Sequence, residues 1–137
     1  MRVIPGFSLW LGHIGDARDI PSIIKVGIGA VIDLALNEPP VTFSREMAYC
    51  RFPLIDSSGN PPWLLRAAVE TVACLIRSRT PTLVYCGAGM SRSPSVTGAA
   101  IALVVGCSPS EGLAIVVRSG PVDLSPALWA EIVEAFT

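Results

Sequence analysis

The sequence is short of the residues that build metal centres and nucleic-acid surfaces. Its 137 residues include one histidine, His13, and one lysine, Lys25. Its four cysteines, Cys50, Cys74, Cys86 and Cys107, lie far apart and form no Cys-x-x-Cys pair. A structural zinc needs four nitrogen or sulfur ligands at characteristic spacings, so no metal is expected, and no cofactor either. Charged residues make up only 15% of the chain, the net charge is −1, and the basic residues do not cluster. That balance argues against non-specific binding to nucleic acid or an acidic membrane, and leaves room for one local anion site. Long apolar runs are also missing. The most apolar stretch, Val96 to Val105, is half of a bilayer span and reads as a buried helix. Pro5 and Gly6 interrupt the N-terminal run before a targeting segment can develop. The expectation is a cytoplasmic monomer with reduced thiols, forming one domain over residues 1–137 around a substantial core.

What is present alternates between short β-branched runs and helical patterns, the sign of an α/β domain. Strands are predicted over 8–13, 30–36, 48–55 and 82–86. A first helix is predicted over 16–27, with Asp16 as its cap and Gly27 as its stop. Pro61 and Pro62 open a helix to about Arg79, with Leu64, Leu65, Ala68, Val72, Leu75 and Ile76 on one face and Arg66, Glu70 and Arg77 opposite. The uncharged stretch after Arg92 predicts a helix buried nearly all round, to Val105. Ser108-Pro109 and Ser125-Pro126 each read as a cap followed by a first-turn proline, opening two further helices.

Between the fourth strand and its helix lies Cys86-Gly-Ala-Gly-Met-Ser-Arg92. A strand, a tight loop of small residues and a helix N-terminus form an anion cradle, because consecutive N–H groups turn inward and the helix adds partial positive charge. Gly87, Ala88, Gly89, Met90, Ser91 and Arg92 would supply the phosphate-binding loop. The glycines permit close approach, and the Arg92 guanidinium forks onto two oxygens. Cys86 would lie beneath the phosphorus as a nucleophile, with its thiolate favoured by the same positive surroundings. Ser93 could donate to the departing sulfur when water attacks the cysteinyl-phosphate. The plainer reading is an inert buried thiol on an ordinary glycine turn. A bare Cys-x5-Arg pair leaves that open; both glycines, the serine-flanked arginine and the flanking strand and helix weigh against it.

"VYCGAGMSRSPSVTGAAIA" resembles the signature His-Cys-x-Ala-Gly-x-Ser-Arg-Ser of the dual-specificity branch of the cysteine-dependent protein phosphatases, matching at every position but the histidine. "LWLGHIGDARDIPSIIKVGIGAVIDLAL" resembles that family's opening strand, helix, turn and second strand, and "SPSEGLAIVVRSGP" its helix after the signature loop. The resemblance implies a mixed, mostly parallel sheet flanked by helices, with the Cys-x5-Arg loop between a central strand and a buried helix. It also implies hydrolysis of a phosphorylated protein or small phosphomonoester, in a pocket shallow enough for phosphotyrosine and phosphoserine or phosphothreonine.

Such chemistry needs a carboxylic acid on a separate loop to protonate the leaving oxygen. Asp56, in "RFPLIDSSGNPP" 30 residues before Cys86, matches the family's general acid in position and in the trailing Asn60. Alone, Asp-Ser-Ser-Gly-Asn is also strong turn sequence. Asp33 falls inside a strand, where a partner in arginine or backbone is expected; Asp16 and Asp19 read as helix-start residues, and His13 as a half-buried residue at a strand end. Tyr85 stands where the family carries histidine. Tyrosine cannot hold a positive charge, so a smaller thiolate share and slower chemistry are expected. That keeps alive a second reading, a phosphate-binding module that captures a phosphorylated partner without turnover. A sulfurtransferase would leave Asp56 without a role, and the low-molecular-weight phosphatase topology places its Cys-x5-Arg near the N-terminus. Cys50, Cys74 and Cys107 read as core thiols.

Overall fold

The computed structural model describes all residues, Met1–Thr137. Eleven elements follow the chain as β1 (Arg2–Val3), β2 (Leu9–Gly12), α1 (Ile14–Arg18), α2 (Ile20–Val26), β3 (Ala30–Ala35), β4 (Ala48–Leu54), α3 (Pro62–Arg77), β5 (Thr82–Tyr85), α4 (Arg92–Val105), α5 (Pro109–Val117) and α6 (Pro126–Ala135). The strands form one sheet in the order β1-β2-β5-β3-β4, parallel except for β1 against β2. The α/β architecture read from the sequence is the one observed. β5 is central, so the loop that follows it emerges from the middle of the sheet's C-terminal edge. That is where open α/β sheets place their ligands.

Alternation along the strands sorts the core into two faces. Ile32, Leu34, Val84 and Cys86 join Leu9, Leu11 and the apolar faces of α3, α4, α5 and α6 on one side. Val31, Ala35, Leu83 and Tyr85 join Ala17 and Ile23, from α1 and α2, on the other. Cys86 and Tyr85, neighbours in sequence, therefore face opposite layers. α4 is buried from Arg92 to Ala102 but surfaces at Leu103 and Val105. No single helix is long and apolar enough to cross a membrane. α4 and α5 touch through small residues: a β-carbon on Gly112 would lie 2.2 Å from the Gly98 carbonyl oxygen and 2.9 Å from Ala102 Cβ. That close crossing fixes α4, and with it the position of Arg92 at its start.

Four sequence expectations are corrected here. β1 was not foreseen: a two-residue strand has no periodicity to detect, and the Pro5-Gly6 break in the N-terminal run is the turn joining β1 to β2. The helix predicted over 16–27 is two, because Asp19 caps a new helix with Pro21 in its first turn. Asp16 is not the cap of α1; His13 is, with Asp16 completing a reciprocal capping box. Cys74 is not a core thiol but is exposed, while Cys50 and Cys107 are half-buried; all four cysteines are free.

Candidate active site

The loop after β5 begins at Cys86, buried at 2% exposure, and ends at Arg92, at 7%. None of the main-chain N–H groups from Gly87 to Ser93 donates to a protein acceptor. Loop residues that turn consecutive amides away from the protein's own carbonyls form a nest for an anion. The Ser91 side chain does not cap α4; its Oγ instead accepts from Ser125 N–H at 2.8 Å, and Asp123 N–H donates to Met90 O at 2.8 Å. The segment before α6 thus braces the loop from outside and leaves its amides free. Gly89 adopts φ +75°, and a β-carbon there would lie 2.9 Å from Gly12 O, so only glycine lets the loop pass this close to the end of β2. Ser93 is fully buried and its Oγ has no protein partner.

Arg92 reaches back under the sheet edge. Its Nη1 donates to Leu54 O at 3.1 Å and Leu34 O at 3.4 Å, the last carbonyl regions of β4 and β3. The guanidinium is thus oriented by two strands from which the site's other residues emerge. A cleft of about 360 Å³ opens beside it, lined by Leu36, Asn37, Leu54, Ile55, Asp56 and Arg92. Asp56 and Arg92 share this cleft, with Cys86 buried beneath the loop from which Arg92 starts. Asp56 itself is exposed, and no hydrogen bond ties its carboxylate. On the far side of the loop, His13 is exposed rather than half-buried.

The loop carrying Asp56 is held from within. Asn60, buried at 5% exposure, accepts from Ile55 N–H at 2.7 Å and donates to Ile55 O and Ser57 O, both at 3.0 Å. Glu131 of α6 then accepts from Gly59 N–H (2.7 Å), Asn60 N–H (3.2 Å) and Asn60 Nδ2 (3.1 Å). Partial burial works against the Glu131 carboxylate, but these donors outweigh it and hold its pKa below the usual carboxylate range. Sequence reading missed Glu131. It is 71 residues from its partner, and nothing local marks it.

Tyr85 lies on the opposite layer from Cys86, fully buried. In register, Asp33 of β3 sits between Tyr85 of β5 and Arg51 of β4. As expected, Asp33 takes backbone and arginine partners: Ala35 N–H donates to Oδ1 at 2.8 Å and Arg51 Nε lies 3.7 Å from Oδ2. Tyr49 donates its hydroxyl to the same carboxylate. The Tyr85 hydroxyl is beside this group but makes no hydrogen bond of good geometry, since Tyr49 and Arg51 already crowd Oδ2. Burial, then the Asp33 charge, pushes the Tyr49 phenol up to about 12 and Tyr85 well above the usual phenol range. Both stay neutral at any physiological pH. No three histidine, cysteine or carboxylate side chains converge to hold a metal.

No protein-family model matches the chain. The human protein named dual specificity protein phosphatase 15 is 26% identical over 121 residues, which is 88% of this chain. The chain spans 40% of that relative's length. Among solved structures, human DUSP28 superposes with a TM-score of 0.81 at 22% identity, over 93% of this chain and 90% of its own. A human tyrosine phosphatase-like serine/threonine/tyrosine-interacting protein gives 0.82 at 21% identity, over 98% and 93%. The chain has the fold of the dual-specificity phosphatases and is similar in sequence to one of them.

Proposed function

We propose that this chain hydrolyses phosphomonoesters, phosphorylated protein side chains above all, through a cysteinyl-phosphate formed on Cys86. The observation that carries this reading is the run of unpaired N–H groups from Gly87 to Ser93, between a buried cysteine and an arginine that shares its cleft with Asp56. The Cys86 thiolate attacks phosphorus, and the P–O bond to the leaving group breaks. Arg92 and the loop amides, of Gly87, Ala88, Gly89, Met90, Ser91 and Arg92, hold the equatorial oxygens as charge spreads over them. Asp56 delivers its proton to the leaving oxygen. It then takes a proton from the water that attacks the cysteinyl-phosphate, while the buried Ser93 hydroxyl, otherwise without a partner, donates to the departing sulfur.

The cleft contains no cation besides Arg92, and Leu36 and Ile55 on its walls are exposed apolar side chains. That suits an aromatic or aliphatic phosphoester on a peptide better than a polyphosphorylated headgroup. The near-neutral charge and free thiols fit a cytoplasmic monomer that uses no metal, cofactor, nucleic acid or membrane. Purified protein should turn over an aryl phosphate somewhere between pH 5 and 8; no turnover anywhere in that range sinks the enzymatic reading.

Tyr85 favours a second reading. A neutral phenol replaces a residue able to carry charge under the loop, and one neighbour in fold is named as phosphatase-like and interacting. In that case the pocket captures a phosphorylated partner without turnover. Equal phosphopeptide affinity in wild type and Cys86→Ser, with hydrolysis by neither, would select it.

A further inference from the structure

The phosphate cradle has a polar neighbour for which the mechanism has no use so far. Asn37 follows β3 and lines the same cleft as Asp56 and Arg92. A β-carbon placed on Gly87 would lie 3.2 Å from Arg92 Nη2, 3.5 Å from Asn37 Nδ2 and 3.8 Å from Asn37 Oδ1. The carboxamide and the free arm of the guanidinium therefore converge on one face of Gly87, the first residue of the loop. An exposed asparagine on a proline-flanked turn would ordinarily point into water; this one lies over the loop.

Its backbone is held firmly. Arg51 Nη2 donates to Ala35 O (3.3 Å), Leu36 O (3.5 Å) and Glu38 O (2.9 Å), straddling Asn37, and Glu38 N–H donates to Ala35 O at 3.1 Å. The Glu38 side chain is paired with Arg18 at 3.3 Å. The turn's backbone carbonyls and the Glu38 side chain are thus engaged, whereas the Asn37 carboxamide makes no hydrogen bond to the protein. Arg92, meanwhile, commits Nη1 to the Leu34 and Leu54 carbonyls. Only its other donors are left for the anion, whose three non-bridging oxygens they share with the loop amides.

We propose that Asn37 is a substrate-binding residue, its Nδ2 donating to a phosphoryl oxygen beside Arg92 Nη2. The proposal rests on the phosphate-site reading above and deepens it. Asparagine suits the task in a way aspartate would not, since a carboxylate in the same place would face the substrate's own charge. Arg51 serves as the positioning residue that fixes the turn.

The test is calorimetric titration of tungstate, a phosphate mimic, into wild type, Asn37→Ala and Asn37→Asp, with melting temperatures measured alongside. A lost hydrogen bond to a charged group should weaken tungstate binding roughly tenfold in Asn37→Ala. Asn37→Asp should bind more weakly still, and neither melting temperature should move appreciably. Aryl phosphate kcat/KM should follow the same order. Wild-type binding that both substitutions leave unchanged overturns the Asn37 assignment and leaves the phosphate site standing. If wild type binds no tungstate, the phosphate-site reading falls and takes this proposal with it.

Discussion

The two loops that meet at the site are stabilised in opposite ways. The loop from Cys86 to Arg92 owes little to side chains: a brace from Met90 and Ser91 to the segment before α6, glycine where it passes β2, and free amides throughout. The loop from Ile55 to Asn60 has its backbone tied at both ends by Asn60 and Glu131, and the Asp56 carboxylate between those ties is left loose. An anion cradle must leave its N–H groups unspent, so its shape comes from packing. A loop presenting one acid can be anchored by side chains at its ends. The contrast teaches that the backbone donors left free at Gly87–Ser93 sit where an anion would satisfy them, while the loop across the cleft ties down its own ends.

The largest effect within this comparison should come from the acid. Asp56→Asn keeps shape and removes the proton, so kcat/KM for an aryl phosphate should fall roughly 10²- to 10⁴-fold, with loss of the acidic dependence in the pH–rate profile. A nearly unchanged rate would remove Asp56 from the mechanism. On the cradle side, Arg92→Lys keeps charge but not the fork or the carbonyl contacts; a loss of roughly 10²- to 10³-fold is expected, by analogy with removal of one transition-state donor.

Tyr85→His asks what the departure from the resembled signature costs. An imidazole at this position would face Asp33, gain a counter-ion and bring positive charge to the residue next to Cys86, and a rise in kcat/KM of about tenfold is expected. The same change empties part of a fully buried phenol's site, so stability should drop by about 1–3 kcal/mol, read from chemical denaturation. A fall in activity with no change in fold would mean that Tyr85 supports the loop better than histidine does.

The smallest effect belongs to Glu131, which acts only through the acid loop. Glu131→Gln should lower kcat/KM roughly 3- to 10-fold by weakening that loop's anchors, leaving tungstate binding intact. Its folded pKa lies below the unfolded value. Its contribution is therefore complete above the unfolded range near about 4.3 and is lost as pH falls through the lower folded value. Melting temperatures of wild type and Glu131→Gln should differ at neutral pH and converge as pH falls below the ordinary carboxylate range; a constant gap would contradict this.

Much of this comparison was legible in the sequence because its parts are local. The strand, glycine loop and helix around Cys86 fall within one stretch, and the loop carrying Asp56 ends four residues on with Asn60. The order of elements followed from periodicity, and the Ser-Pro openings of α5 and α6 are capped as read. Asp19-x-Pro21 carried almost the same signal and was absorbed into one helix, because the apolar residues on both sides masked the break. Cys74 is four residues after the solvated Glu70, so helical spacing already placed it outside. Glu131 and the Asp33–Tyr49–Arg51 row were not legible. The first contact spans 71 residues, and the second exists only once β3 and β4 pair in register. Asn37 carries no pattern at all; it acquires meaning from the strand order that sets β3 beside β5.

The most direct test of the central claim is to find the phosphate on Cys86. Wild type should be mixed with an aryl phosphate, quenched in acid within the first turnover and digested for mass spectrometry. A burst of released phenol, with phosphate on the peptide containing Cys86 and none in Cys86→Ser, is the result expected. Turnover that survives Cys86→Ser, or phosphate trapped on any other residue, would contradict it.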